Sequence, residues 1–133
     1  MDTSLKVLIV AGTAVLAYAF ALGVPMALAR QKAPTAPRHL VNAHMEGLIG
    51  GAILLALTAA LSFADMADGL ATTAAVLVSA GVVSALAGGT LNWRQGVDDP
   101  FAARSPGFML QAAAGPLNLV GIAIILIGVL AGL

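Results

Sequence analysis

The chain contains no cysteine, which excludes disulfides, thiolate metal sites and a cysteine nucleophile. Charge is almost as scarce. Only 9% of its 133 residues are Asp, Glu, Lys or Arg, where a soluble domain keeps roughly a quarter. Aromatic residues make up 5%, with one tryptophan and one tyrosine. The formal net charge is zero, so no basic face is available for nucleic acid. The two histidines, His39 and His44, are five positions apart and fall on different faces of a helix. A non-haem metal site built from several histidines is therefore not expected. No arrangement of serine, histidine and aspartate suggests nucleophilic hydrolysis.

What is present is apolar: 60% of the residues are hydrophobic, and the mean hydropathy is +1.01. Such a chain lacks the polar surface to dissolve, so the sequence predicts a membrane protein. A helix needs about 20 residues to cross about 30 Å of hydrocarbon. Four segments meet that length: residues 5–29, 42–63, 70–91 and 108–133. The expected fold is all-α, a single membrane domain over residues 1–133 forming a four-transmembrane-helix antiparallel bundle. The first apolar run ends in Ala27-Leu28-Ala29, which has the form of a leader cleavage site. Its length exceeds a signal core of roughly 7–15 residues, so it is read as a retained span.

Basic residues set the expected orientation. Arg30, Lys32 and Arg38 lie in loop 1, and Arg94 and Arg104 in loop 3, against Lys6 alone on the other side. The positive-inside rule then puts loops 1 and 3 in the cytoplasm and both termini outside. Pro34 and Pro37 make loop 1 an extended connector. Trp93 and Phe101 are suited to anchoring loop 3 at the interface. Asp65 and Asp68 stand where the third helix begins, favourably for its dipole.

Inside the spans, the few polar residues are the candidates for chemistry. In "VNAHMEGLIGGAILL" (41–55), His44 and Glu46 are separated by about 200° on a helix. His44 shares its face with Gly47, Leu48 and Gly51; Glu46 shares its face with His39, Asn42, Ile49 and Gly50. An imidazole above two glycines leaves room for a flat ring, as a haem iron ligand requires. The same histidine equally suits an interface, bonded to headgroups or a backbone carbonyl. For Glu46 three roles are open: pairing with Arg38, a carboxyl held by Asn42 or Gln111, or proton transfer.

In the third span Ala80, Ser84 and Gly88 recur every four residues, and Gly81 lies seven before Gly88. That stripe permits close approach of a helix or of a flat cofactor. The fourth span carries Gln111 and Asn118 on one face, with Pro116 nearby. Tyr18 lies in the first span, where a hydrogen bond into the bundle is the default.

The run "APRHLVNAHMEGLIGG" resembles the start of the second span in small membrane isomerases related to hydroxylaminobenzene mutase. Pro37, Arg38, His44, Glu46, Gly47 and Gly51 carry that resemblance. "GGTLNW" at 88–93 is similar to the end of their third span, and four spans of this length match their layout. Styrene oxide isomerase, a trimeric four-helix membrane protein that binds haem b, resembles the same group more distantly. The resemblance implies that His44 is the iron ligand and that Gly47 and Gly51 line the cofactor. It implies a homotrimer in a bacterial-type inner membrane. Its substrate would be a small hydrophobic aromatic epoxide or aryl hydroxylamine, rearranged without net redox change. The alternative is a haem-binding or sensing protein without catalysis. The chain departs from the family at Gly50, where an asparagine is usual, near Gly88 and Gly89, where a tyrosine is usual, and near Ala80, where styrene oxide isomerase has an aspartate. Glu46, Asn92 and Asn118 are then the catalytic candidates, with Gln111 as a further substitute.

Overall fold

Helix ends in this chain are set by short polar residues and prolines. In the computed structural model, which describes residues 2–133, Asp2 accepts from the backbone N–H of Ser4 and opens α1 (Thr3–Lys32). α2 (Arg38–Ser62) starts directly after Pro37, and α3 (Asp68–Arg94) has Asp68 in its first turn. Asp99 caps the short α4 (Pro100–Ala103) by accepting from Phe101 and Ala102 N–H. Ser105 then caps α5 (Pro106–Gly132) by accepting from Phe108 N–H at 3.0 Å. Proline stands in the first turn of both α4 and α5, where its missing N–H costs nothing. Between them Arg104 takes the left-handed conformation, φ 45°, and turns the chain from one helix into the next.

The four long helices are each long and apolar enough to cross a membrane. The expected four-helix bundle is present, and among the described residues there are no strands. The helices run past the apolar spans read from the sequence. α1, at 30 residues, is about 45 Å long, more than the hydrocarbon core alone requires. α2 begins four residues before the expected span, at Arg38 rather than Asn42. This places His44 and Glu46 about two turns inside a helix, not at its first residues.

α3 is the central helix. It packs on α1, α2 and most extensively on α5, whereas α2 and α5 scarcely meet. The α3–α5 approach is close because glycines face it. A side chain at Gly88 would collide with Gly107 O and Gln111, and one at Gly121 with Val78 and the Ala74 carbonyl. Small residues thus bring these backbones together, the usual basis of helix association in lipid. The small-residue stripe of α3 is a helix seat, except at Ala80, which is exposed. Leu8, Leu22, Leu40, Leu54, Val78, Leu86 and Ile125 form the core. The outer surface is apolar, with Phe20, Val24, Leu119 and Ile127 among its exposed residues, as lipid contact demands.

Loops 1 and 3 lie at the same end of the bundle and are bonded together. Arg38 Nη2 donates to Asp98 O at 2.9 Å, and His39 Nε2 donates to Val97 O at 2.7 Å. Trp93 is half-buried against the core, while Phe101 is exposed and tilted against Phe108, with ring centroids 4.9 Å apart.

Candidate functional site

α2 presents two different polar faces. On the first, His44 lies against α1. Its Nδ1 is 2.8 Å from the Ala19 carbonyl, and a carbonyl can only accept, so Nδ1 carries the proton. This bond orients the ring, and among the described residues Nε2 has no hydrogen-bond partner. The ring lies beside Gly23 of α1, where a side-chain carbon would meet His44 Cε1 at an ordinary contact distance of 3.6 Å.

The glycines below the histidine do not form a bed for a flat ring. A Cβ at Gly47 would stand 2.7 Å from Ala19 Cβ, and one at Gly51 would stand 2.6 Å from Leu16 Cγ and 2.9 Å from Gly12 O. Both residues are buried. The space that the spacing suggested for a cofactor is filled by α1, which corrects the assignment of Gly47 and Gly51 as cofactor-lining residues. Only His44 retains the chemistry of an axial ligand. Its Nδ1–H is held by a backbone carbonyl, which orients the ring.

On the second face, Glu46 is the end of a hydrogen-bond chain across three helices. The chain begins at the cap of α5. Phe108 N–H donates to Ser105 Oγ, so the Ser105 hydroxyl is free to donate to Asn92 Oδ1, at 2.6 Å. That contact turns the Asn92 amide so that its Nδ2 donates to Gln111 Oε1, at 3.3 Å. Gln111 Nε2 in turn donates to Glu46 Oε1, at 3.4 Å. The four links run in one direction, from the α5 cap through Asn92 and Gln111, and bring an amide donor to the carboxyl. Asn92 is fully buried within it.

Of the partners open to Glu46 in the sequence, Gln111 is the one used. Arg38 is engaged with loop 3, and Asn42 is exposed. The second carboxyl oxygen, Oε2, is buried and has no partner. It sits over Gly89, where a Cβ would come within 2.9 Å of it. Asn118 lies against Gly81 of α3, and its Oδ1 is likewise buried without a donor. Glu46 and Asn118 line one cleft of about 430 Å³ between α2 and the α3–α5 pair. It lies where α2 and α5 both pack on α3 but scarcely on each other. Its other walls include Met45, Ile49, Ile53 and Val82.

The structure therefore gathers Glu46, Asn92 and Asn118 on the α5 side of α2, while His44 stands on the α1 side. Two glycines on these helices are sealed by packing. A Cβ at Gly50 would be 2.6 Å from Val82 Cγ1, and one at Gly88 would strike α5. Neither an asparagine nor a tyrosine has room there as the helices are packed. Among the described residues no three His, Cys, Asp or Glu side chains converge on a common point. A haem iron asks for one axial ligand and does not depend on such a cluster.

Sequence reasoning missed Ser105. Its signal was available, since Ser105-Pro106 is a cap followed by a first-turn proline. A second groove of about 430 Å³ lies between α1 and α3, beside Tyr18, whose hydroxyl is 3.4 Å from Thr90 Oγ1; neither His44 nor Glu46 lines it. Comparison with known protein families, with curated proteins and with solved structures finds no match.

Proposed function

We propose that this chain is a haem b-binding integral-membrane isomerase or mutase that rearranges a small aromatic epoxide or aryl hydroxylamine. The observation that carries the reading is His44: an imidazole inside a membrane helix, with Nδ1–H held by Ala19 O and no hydrogen-bond partner at Nε2 among the described residues. The resemblance of residues 36–51 and 88–93 to the isomerase group agrees with it. When bound, ferric haem supplies a Lewis acid for a substrate oxygen. The chain's own part is to orient the imidazole and to surround it with apolar helices that exclude water. The proposal includes the homotrimer of the related isomerases. It also includes a bacterial-type inner membrane with loops 1 and 3 on the cytoplasmic side. A periplasm-active reporter fused after Leu133 should be active, and a reporter active only in the cytoplasm should be silent.

A specific observation favours a second reading, haem binding without catalysis. Gly50 and Gly88 are packed shut where the isomerases carry polar side chains, and Glu46, Asn92 and Asn118 lie across α2 from His44. Turnover separates the two. Haem-loaded protein should convert styrene oxide or phenylhydroxylamine to its rearranged isomer. A stable Soret band without turnover leaves the second reading, and no Soret band after haem supplementation removes both.

A further inference from the structure

The groove between α1 and α3 has one chemistry along its length and another at its end. α1 packs more closely on α2 than on α3. Short side chains at Ala11, Ala14 and Ala87 leave a furrow of about 430 Å³ on the outer surface. Ala14, Val83 and Ala87 are exposed in it. Both hydroxyl protons in the furrow are already used by the protein. Thr90 Oγ1 donates to Leu86 O at 2.8 Å, and the Tyr18 hydroxyl donates to Thr90 Oγ1 at 3.4 Å. Arg94 is the one charged residue among those lining the groove. It is exposed in the last turn of α3 and forms no ion pair among the described residues. Along α3 the groove runs from Val83 to Arg94, about 16 Å at about 1.5 Å per residue. Half of a hydrocarbon core of about 30 Å is about 15 Å. The groove thus has the depth of one leaflet, with its cation at the end of the bundle that carries loops 1 and 3.

From these features we infer that the groove binds an anionic phospholipid of that leaflet, with its phosphate on Arg94 and one acyl chain along Ala14, Val83 and Ala87. An apolar furrow with a single cation at its mouth is matched by an apolar chain with an anion at one end. A guanidinium receives phosphate through two parallel N–H bonds, and basic pockets between membrane helices receive anionic headgroups. The length argues against a helix from a second copy, which crosses both leaflets and needs a seat about twice as long. A zwitterionic lipid brings the same chains, but its own ammonium offsets the phosphate, so Arg94 is the selective element. Neither His44 nor Glu46 lines the groove, and the inference does not rest on the haem reading.

The absence of cysteine allows a site-specific test on the full chain. Ala14→Cys places a bimane label in the groove, and Leu119→Cys, on α5 at a position that is 72% exposed, places one outside it. Each labelled protein is reconstituted in phosphatidylcholine vesicles and quenched by acyl-brominated phosphatidylglycerol or acyl-brominated phosphatidylcholine. At position 14, half-quenching should need about fivefold less phosphatidylglycerol, the preference that one basic side chain gives near an anionic lipid. At position 119 the two lipids should quench equally. Arg94→Gln should abolish the preference and Arg94→Lys should keep it. Ala87→Phe should fill the furrow and remove the preference with Arg94 intact. Equal quenching by the two lipids at position 14, the same preference at position 119, or a preference that persists in Arg94→Gln would overturn the inference. If no brominated lipid quenches the label at position 14 and unlabelled Ala14→Cys protein cross-links to itself on oxidation, a second copy covers the groove and the lipid assignment falls. The measurement uses no haem, so failure here and failure of the haem reading are distinguishable.

Discussion

The two faces of α2 are built from the same materials and end differently. The His44 face carries Gly47 and Gly51; the Glu46 face carries Gly50 and Asn42. On the first, the glycines are consumed by α1, whose Gly12, Leu16 and Ala19 sit where side chains would have been. On the second, α2 is closely covered only by α3, and beside Gly50 its sparse packing with α5 leaves a cleft. Glycine spacing therefore says that something flat or close approaches a helix. It does not say whether that is a cofactor or another helix. In lipid, where close packing is the main attraction between helices, the neighbour helix claims the smooth face.

The comparison can be broken at several points. The largest effect should come from Gly47→Leu. On the closed face it forces α1 away from α2, with a loss of about 3 kcal/mol from overpacking. Unfolding in mixed micelles measures it; an unchanged midpoint would mean that this face is not sealed by α1. Asn92→Ala should follow, at about 2 kcal/mol, because it strips the donor from Gln111 and the acceptor from Ser105 within a buried chain. A double-mutant cycle with Gln111→Ala should show strong coupling if the chain acts as a unit. Ser105→Ala should cost about 1 kcal/mol as a lost cap. It should also release the Asn92 amide, read as faster side-chain amide proton exchange. Smallest is Tyr18→Phe, a few tenths of a kcal/mol at about the lower limit for a hydrogen bond, since its contact with Thr90 is long and Tyr18 is half-exposed.

Hydropathy carried the four spans and the antiparallel order, because the cost of burying polar backbone in lipid leaves few alternatives. It located helix ends less well. The helices continue through the interface to caps at Asp2 and Ser105, and those are signals of hydrogen bonding, not of greasiness. α4 went unread although Asp99-Pro100 is its cap and first turn. The polar partners were legible as residue types but not as pairs. Gln111 was among the partners considered for Glu46, yet Arg38, also considered, turns to Asp98 O because loops 1 and 3 meet at one end. Gly47 and Gly51 misled for the reason given above: periodicity resolves a face but not its occupant.

The proposed function gives the two faces of α2 different parts, with His44 proposed as an iron ligand and Glu46 not. The direct measurement is the visible spectrum of haem-supplemented wild type, His44→Ala and Glu46→Gln, purified side by side. The account predicts a Soret band in wild type and in Glu46→Gln, and none in His44→Ala. A band that survives in His44→Ala, or one lost in a folded Glu46→Gln, would contradict it.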